Sequence, residues 1–293
     1  MGKTSLKTSP LNIPGRLAWS GMELIGPLNL LYQLNRLPNP NTTLPLPNKI
    51  TASLYLIHYA NRAIISPLLA APSISPIHAS IVCSAAAFNW VNSTCLAAWL
   101  VGYHVPVPGF RTDGSEDGDR SAIATCLPYL GFGLFFLGMV GNIVAERTLF
   151  RLRREEADKL ECHRRHQQGK KLLPRNRYSK VYVLPPASGL FRFILYPHYV
   201  CEWLEWIGFV LVGTAVYPAV VAPEMKLAPW LVPAAAVVER LRVPLPLPAV
   251  VFVGNIVASM VPQARWGKKW YLGKFGRERV AGRAAVLPFS SWL

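Results

Sequence analysis

The part of the sequence most informative about its fold is AIATCLPYLGFGLFFLGMVGNIVAERTLFRLRR, residues 122–154. Its first part, 122–145, carries no charged residue, and a helix of about 20 apolar residues is long enough to cross a bilayer. Basic residues crowd the sequence from Arg147 onward. An apolar run that ends in basic residues is typical of a membrane helix whose end faces the cytosol.

Further apolar runs lie on both sides of this one, and each is long enough to be a membrane helix. They cover residues 17–34, 51–70, 77–102, 201–222 and 245–262. The chain is 52% hydrophobic and 16% charged, whereas a soluble domain carries about 25% charged residues. The sequence therefore predicts an all-α fold, a polytopic membrane helix bundle with about six transmembrane helices.

The domain organisation follows from the absence of any divider in the sequence. No Gly/Ser linker and no repeat interrupts residues 1–293, which we interpret as a single membrane-embedded domain. The stretch 228–238 is too short and too rich in proline for a span, so we expect an interfacial or re-entrant piece there.

The charge distribution gives the orientation. The chain has 31 basic and 15 acidic residues, and in a soluble protein a net charge of +16 would suggest a nucleic-acid partner. In a membrane protein such an excess marks cytosolic segments instead. We therefore predict a cytosolic basic loop at 147–199 and a cytosolic tail at 263–293, and we expect no nucleic-acid partner.

The sequence lacks the motifs of soluble cofactor and metal sites. Gly131 and Gly133 begin a G-x-G pattern, but Phe136 stands where the third glycine of a dinucleotide-binding turn belongs, so helix packing is the better interpretation. The segment ECHRRH, residues 161–166, offers too few ligands for a metal ion. We expect no metal site.

Polar side chains occur in groups within or beside the apolar runs. These groups are Trp19 with Glu23, His58 and Tyr59 with Arg62, Asn142 with Glu146, and His198 with Glu202 and Glu205. Each group alone has a structural explanation, such as an interfacial aromatic belt, a snorkelling arginine or an acid at a helix N-terminus. Ionisable groups inside a membrane are costly and usually functional, so together the groups favour a buried polar site.

The segments that carry these groups resemble a known enzyme family. In chain order they are WSGMELIGPL (19–28), HYANRAIISPLL (58–69), LGMVGNIVAERTLFRLR (137–153), SGLFRFILYPHYVCEWLEWIG (188–208), WYLGKFG (270–276) and RAAVLPF (283–289). This ordered set is similar to the steroid 5α-reductase family, and most similar to its 3-oxo-5α-steroid 4-dehydrogenase branch. The family's first transmembrane helix has no counterpart in the sequence, so the resemblance implies six spans here against the family's seven.

The resemblance implies an activity and a location. Members of the family are multi-pass enzymes of the endoplasmic reticulum membrane. They use NADPH to reduce an activated carbon–carbon double bond in a steroid or similar lipid. We therefore expect an NADPH-dependent oxidoreductase of lipid and steroid metabolism, with a membrane-embedded lipid or steroid as substrate.

The resemblance also assigns roles to individual residues. Glu23 and Tyr59 match the catalytic pair that binds the 3-keto oxygen of the substrate. The residues that match the NADPH site are Lys3, Arg62, Asn142, Glu146, Arg153, His198, Glu202 and Tyr271.

The chain departs from the family pattern at three places. A basic residue common after the second motif is replaced by the stretch 70–72, Ala-Ala-Pro. Gly267 stands in the region before Trp270 where a histidine is expected. A proline-rich insertion occupies 223–248.

The residues suit the chemistry of enone reduction. Addition of a hydride to the β-carbon of an enone sends negative charge onto the carbonyl oxygen. A tyrosine hydroxyl, backed by a protonated glutamic acid, would donate a hydrogen bond to that oxygen as the charge develops. Basic and amide groups at the cytosolic end suit the phosphates of NADPH.

Other functions share parts of this pattern. One alternative is another reductase of the same superfamily, which would reduce a polyprenal or a very-long-chain enoyl-CoA. The motifs HYxxR and PHYxxE are partly shared with such reductases. A membrane methyltransferase of the isoprenylcysteine type has a similar terminal helix pattern. An inactive truncated member, one that has lost activity together with the first helix, is a further alternative. The WxxxE motif at Trp19 favours the 3-keto-steroid type.

Overall fold

A computed structural model gives the structure of the chain. It describes residues 9–36, 44–101, 103–104, 122–168, 177–178, 181–216, 220–221, 229–280 and 282–288. The helices are α1 (Gly15–Leu34), α2 (Leu46–Tyr59), a π-helical segment that continues α2 (Ala60–Ala70), α3 (Ala79–Leu100), α4 (Ala122–Gln168), α5 (Pro197–Gly213), α6 (Val232–Leu241), α7 (Leu247–Phe275) and α8 (Arg277–Val280). The predicted all-helical fold is confirmed.

Short strands and turns connect the helices. The strand β1 (Asn12–Ile13) pairs antiparallel with β2 (Ile77–His78), and β3 (Tyr103–His104) pairs parallel with β4 (Val220–Val221). Turns of 3₁₀-helix cover Gly189–Phe191 and Pro229–Leu231. The first strand pair holds the start of α1 beside the start of α3.

Prolines determine where several helices begin. Pro14, Pro45 and Pro246 precede the first residues of α1, α2 and α7, and Pro197 is the first residue of α5. The proline ring fixes φ near its helical value, and the missing N–H is one that a first helical turn leaves unpaired in any case.

The helix α4 corrects the prediction of a loop from residue 147. The helix runs without interruption to Gln168, so the first part of the basic segment is helical. Arginine, leucine and glutamate are good helix formers, and Arg151 and Glu155 form an ion pair one turn apart at 3.7 Å. Arg177 anchors the end of this helix through ion pairs with Asp158 and Glu161.

Three helices of the described residues are long and apolar enough to cross a membrane by length and composition. They are Ala79–Leu100, Ile123–His163 and Leu247–Phe275. The helix α5 is shorter, with 17 residues. Polar side chains, among them Glu23 and His58, lower the mean hydropathy of α1 and α2.

The main hydrophobic core lies between α2, α3, α5 and α7, with single contributions from α1 and α4. Its largest fully buried side chains are Tyr55, Leu96, Leu100, Phe135, Trp206 and Phe209. A smaller cluster joins the start of α5 to the end of α7 and the C-terminal segment; Leu195, Tyr196, Tyr271 and Val286 belong to it.

Glycines allow α4 and α5 to pack with their backbones in contact. A Cβ atom on Gly131 would lie 2.7 Å from the carbonyl oxygen of Gly208, and one on Gly208 would lie 2.6 Å from the carbonyl oxygen of Gly131. Neither position has room for a side chain. The interpretation of Gly131 as a packing residue is therefore confirmed, whereas Gly133 faces open space. This contact brings the polar face of α4 against that of α5.

Candidate active site

Arg62 lies at the centre of the polar site. Its Nε atom is 3.5 Å from Glu23 Oε1 of α1, and its Nη1 atom is 3.3 Å from Glu202 Oε2 of α5. The guanidinium carbon lies 5.0 Å from the ring centroid of Trp19. Arg62 belongs to the π-helical segment, a helix type that often occurs at functional sites. One cation therefore joins two helices that are far apart in sequence.

Tyr59 lies one turn before Arg62, at the end of α2, and is buried. Its hydroxyl donates a hydrogen bond of 3.5 Å to Asn89 Oδ1 of α3. The Asn89 amide nitrogen in turn donates to the carbonyl oxygen of Met22 at 2.7 Å. Asn89 thus links the Tyr59 hydroxyl to α1 at Met22, the residue before Glu23.

The predicted catalytic pair lies on adjacent helices, but its members are not each other's direct partners. Within the described residues the Tyr59 hydroxyl contacts Asn89, and the Glu23 carboxyl group lies beside Arg62. The observed arrangement therefore differs from the expected one, in which a protonated Glu23 lies behind Tyr59. The guanidinium of Arg62 contacts the Glu23 carboxyl group instead.

Four of the predicted cofactor residues lie together. The Asn142 amide donates to Glu202 Oε2 at 3.4 Å, on the same carboxyl oxygen that Arg62 contacts. Glu146, one turn further along α4, accepts a hydrogen bond of 2.7 Å from the hydroxyl of Ser66. The π-helical segment thus contacts both α4 and α5 through polar side chains.

His198 lies one turn before Glu202 on α5. Its ring centroid is 4.6 Å from that of Tyr199 and 5.6 Å from that of Tyr196. Its Nδ1 atom is buried and makes no hydrogen bond to the residues that the structure describes. A buried polar atom without a partner is what a polar group of a bound ligand would satisfy.

Tyr271 lies in the smaller hydrophobic cluster, apart from the Arg62 network. Its ring centroid is 6.1 Å from that of Tyr196 and 5.2 Å from that of Trp270. A Cβ atom on Gly267, one turn earlier on α7, would clash with the Tyr196 hydroxyl. Tyr196 therefore fills the space that a side chain at position 267 would need.

Arg153 lies beyond Glu146 at the charged end of α4, where its guanidinium contacts the backbone. Its Nη1 atom donates to the carbonyl oxygen of Ser73 at 3.0 Å and its Nη2 atom to that of Tyr178 at 3.1 Å. The Nε atom is buried and has no partner among the described residues. Arg153 thus holds two connecting segments together and keeps one donor free.

Two more arginines reach the stretch that follows the π-helical segment. Arg16 donates to carbonyl oxygens within residues 68–72, among them that of Ala71 at 2.8 Å, and Arg154 donates to that of Ala70. The sequence has no basic residue at 70–72, but the fold brings positive charge there from α1 and α4.

A second buried pair lies behind the site. His58 Nδ1 is 2.8 Å from Glu205 Oε1, and the His58 ring centroid is 4.6 Å from that of Trp206. Glu205 is fully buried, and its other carboxyl oxygen has no partner in the described part of the chain. Both residues belong to the polar groups seen in the sequence, but the pairing between α2 and α5 was not predicted.

A cavity of about 460 Å³ lies at the charged end of α4. It is lined in part by Glu155, Lys159, Tyr182, Arg279 and Arg283, and it contains none of the predicted site residues. Arg283 is buried and donates to the carbonyl oxygen of Pro185 at 2.8 Å. Burial lowers the pKa of its guanidinium.

Lys3, the remaining predicted cofactor residue, lies outside the described residues. Sequence reasoning missed Asn89 and Ser66, which hold Tyr59 and Glu146. An amide within the apolar run of α3 was a usable signal for Asn89, because such a group needs a partner inside the protein. Ser66 carried no comparable signal.

Comparison with known proteins gives a consistent set of relatives. A family model described as 3-oxo-5-alpha-steroid 4-dehydrogenase matches residues 75–222. The chain is 29% identical to an uncharacterized protein of Schizosaccharomyces pombe, over 99% of this chain and 89% of that protein. It is 28% identical to the steroid 5-alpha-reductase DET2 of Arabidopsis thaliana, over 81% of this chain and 68% of that protein. It is 25% identical to 3-oxo-5-alpha-steroid 4-dehydrogenase 1 of Mus musculus, over 98% and 86%.

Proposed function

This chain belongs to the steroid 5-alpha-reductase family of 3-oxo-5-alpha-steroid 4-dehydrogenases, and from that premise we propose its reaction. The chain reduces the C4–C5 double bond of a 3-oxo-Δ4-steroid, or of a similar enone lipid, with NADPH as the reductant. The Tyr59 hydroxyl binds the carbonyl oxygen, with Glu23 beside it as the second member of the catalytic pair, and the residues around Glu202 bind the cofactor.

One observation carries this proposal. A continuous series of polar contacts runs from Glu23 through Arg62 to Glu202 and Asn142, beside a large apolar core. Charged groups are costly in such surroundings, and they persist where they bind or react with a ligand. The series joins the helix that would hold the carbonyl group to the helices that would hold the cofactor.

The chemistry follows from the position of Tyr59. When bound, NADPH supplies the hydride that adds to the β-carbon of the enone. The Tyr59 hydroxyl donates a hydrogen bond to the carbonyl oxygen, where negative charge develops. The enolate then takes a proton from water at its α-carbon, which completes the reduction. Arg62, held between two carboxyl groups, keeps Glu23 in place at the same end of the substrate. The apolar core around α2, α3 and α7 suits the body of a sterol or an isoprenoid.

The residues present fit a phosphate-bearing dinucleotide. The His198 Nδ1 and the Arg153 Nε have no partner among the described residues, so each is available to bind a polar group of NADPH. Asn142 and Glu146 lie on the same face of α4, and both precede Arg153 on that helix. The arginines at the end of α4 supply the positive charge that a 2′-phosphate needs.

The choice of NADPH over NADH is testable at Arg153. We expect Arg153→Glu to weaken NADPH binding strongly and NADH binding less, because only NADPH carries the 2′-phosphate. Titration of both nucleotides against the purified protein measures the two affinities. The matched control is Arg151→Glu on the same helix, since Arg151 is exposed and pairs only with Glu155 in the described structure. An equal loss for both nucleotides would remove the 2′-phosphate role from Arg153.

The location of the chain is part of the proposal. We propose a multi-pass protein of the endoplasmic reticulum membrane, in which α1, α2 with its π-helical segment, and α5 span the bilayer together with α3, α4 and α7. The segments 147–199 and 263–293 face the cytosol, because they carry most of the basic excess.

The reaction itself is tested by transfer of label from the cofactor. Microsomes that contain the chain should transfer tritium from the nicotinamide C4 of labelled NADPH to a 3-oxo-Δ4-steroid. Parallel assays use a polyprenal and a very-long-chain enoyl-CoA as acceptors, and methyl-labelled S-adenosylmethionine with an isoprenylcysteine. Tritium transfer to the polyprenal or to the enoyl-CoA, but not to the steroid, would assign the chain to another reductase activity of the superfamily. Methyl transfer without tritium transfer would refute a reductase.

A further inference from the structure

Tyr55 carries a buried hydroxyl that has no role in the proposed reaction. The residue lies one turn before Tyr59 on α2 and is completely buried. Its hydroxyl lies near the polar side chains of Tyr59 and Asn92, but it makes no hydrogen bond of acceptable geometry to the described residues. Leaving a buried hydroxyl unpaired destabilises a folded protein, so a hydroxyl retained at such a position needs an explanation.

Packing does not explain the hydroxyl. The Tyr55 ring centroid lies 4.5 Å from that of Tyr59, 6.0 Å from that of Trp206 and 6.4 Å from that of Phe209. These are contacts of the ring, and phenylalanine would make all of them. The hydroxyl therefore adds a polar atom to an aromatic cluster that does not require one.

The position of the hydroxyl places it at the proposed carbonyl site. A Cβ atom on Gly26 would lie 2.7 Å from the Tyr55 hydroxyl oxygen and 3.6 Å from Tyr59 Cζ. Gly26 is one turn from Glu23 on α1. The polar ends of both tyrosines therefore lie against α1, close to Glu23. The amide nitrogen of Asn92, on the neighbouring helix α3, is also buried and has no hydrogen-bond partner in the part of the chain that the structure describes.

We propose that Tyr55 is a positioning residue for Tyr59, a role that rests on the proposed function. In the structure the Tyr59 proton points to Asn89 Oδ1 over a long hydrogen bond of 3.5 Å. When a carbonyl group binds, the Tyr59 proton turns to the carbonyl oxygen. The Tyr55 hydroxyl then donates to the Tyr59 oxygen, and no proton leaves either residue.

This arrangement strengthens the donor that faces the developing charge. A phenol oxygen can accept one hydrogen bond while its own proton is donated to another group. Hydrogen bonds in such a chain polarise one another, and the effect is larger in a site of low dielectric. Tyr55 thus makes Tyr59 a better donor to the carbonyl oxygen without touching the substrate.

The test begins with Tyr55→Phe, which removes only the hydroxyl. We expect kcat for the enone to fall about tenfold and its KM to rise no more than several-fold, with NADPH affinity unchanged. Tyr129→Phe is the matched control, because Tyr129 is exposed on α4 and lies outside the site. In a Tyr59→Phe background, Tyr55→Phe should cause no further loss of the residual rate. An unchanged kcat in Tyr55→Phe, or an equal loss in both backgrounds, would overturn the role through Tyr59.

Gly26→Ala provides an independent route to the same hydroxyl. The new Cβ should displace the Tyr55 oxygen and lower both kcat and the unfolding temperature. Because Tyr55→Phe removes the clashing oxygen, the double variant should recover the unfolding temperature and keep the lower kcat. Recovery of both quantities would contradict the proposal, since the rate would then depend on packing alone.

A binding measurement separates this proposal from the proposed function. Tryptophan fluorescence reports the affinity of the cofactor-free protein for a 3-keto-4-ene steroid and for its 3-deoxy analogue. Tyr55→Phe should reduce the preference for the ketone several-fold and leave the affinity for the analogue unchanged. Absence of turnover in the wild-type chain would refute the reductase function, whereas an unchanged ketone preference would refute the role of Tyr55.

Discussion

Tyr59→Phe should lower the turnover of a 3-keto-4-ene steroid by about 10²–10³, the usual cost of losing one donor to a developing oxyanion. Glu23→Ala should also lower it strongly, because the Glu23 carboxyl group holds Arg62 at the carbonyl end of the site. Both variants should still bind NADPH. The hydroxyl of Tyr59 is held by Asn89 of α3 and not by a predicted cofactor residue. The ion pair with Glu23 is made by Nε of Arg62 and that with Glu202 by Nη1, so the contact with Glu202 persists without Glu23. Steady-state kinetics and NADPH titration of the same preparations measure the two effects.

The controls for this prediction preserve the shape of the site. Glu23→Gln keeps the volume and an amide donor, so we expect partial loss. Tyr32→Phe, on the exposed face of α1, is the matched control for loss of a tyrosine hydroxyl. Full turnover in both Glu23→Ala and Tyr59→Phe would show that Glu23 merely caps an interfacial helix and that Tyr59 belongs to an aromatic belt. If the natural substrate is a different enone, the same pair should matter, because the charge develops on its carbonyl oxygen as well.

The helices of this chain were predictable because apolar runs and prolines carry local information. Prolines mark the starts of α1, α2, α5 and α7, and the run at 122–145 defines the first part of α4. The basic continuation of α4 was predicted as a loop. Charge indicates exposure, but an exposed segment can also be helical when its residues are good helix formers. The resemblance to the steroid 5α-reductase family is confirmed by the family match.

The site was predictable only in part. Glu23, Arg62 and Glu202 stand out in sequence because each is charged within or beside an apolar run, and the structure brings them together. Their pairing depends on which helices are neighbours, and that depends on packing features such as the backbone contact at Gly208. Asn89 and Ser66 act through contacts between distant segments, so nothing in their local sequence reveals their partners.

The largest effect on stability should come from Arg62→Met. The substitution leaves Glu23 and Glu202 without the cation between them, and Glu202 is almost completely buried. Removing one partner of a buried ion pair typically costs about 3–5 kcal/mol, because the remaining charge has neither water nor a counter-ion. We expect a large fall in the unfolding temperature of the purified protein in detergent. The hydrogen bond from Asn142 to Glu202 is too little to offset the loss.

A charge-compensated variant distinguishes electrostatics from packing. Arg62→Met combined with Glu202→Gln removes the more deeply buried of the two charges, so part of the lost stability should return. Arg36→Met is the matched control, since Arg36 also lies over an aromatic ring, that of Tyr32, but at the exposed end of α1. It should leave the unfolding temperature unchanged. If the double variant is no more stable than Arg62→Met, the contribution of Arg62 lies in its contact with Trp19 and in the volume it fills, and the carboxyl groups are satisfied without it.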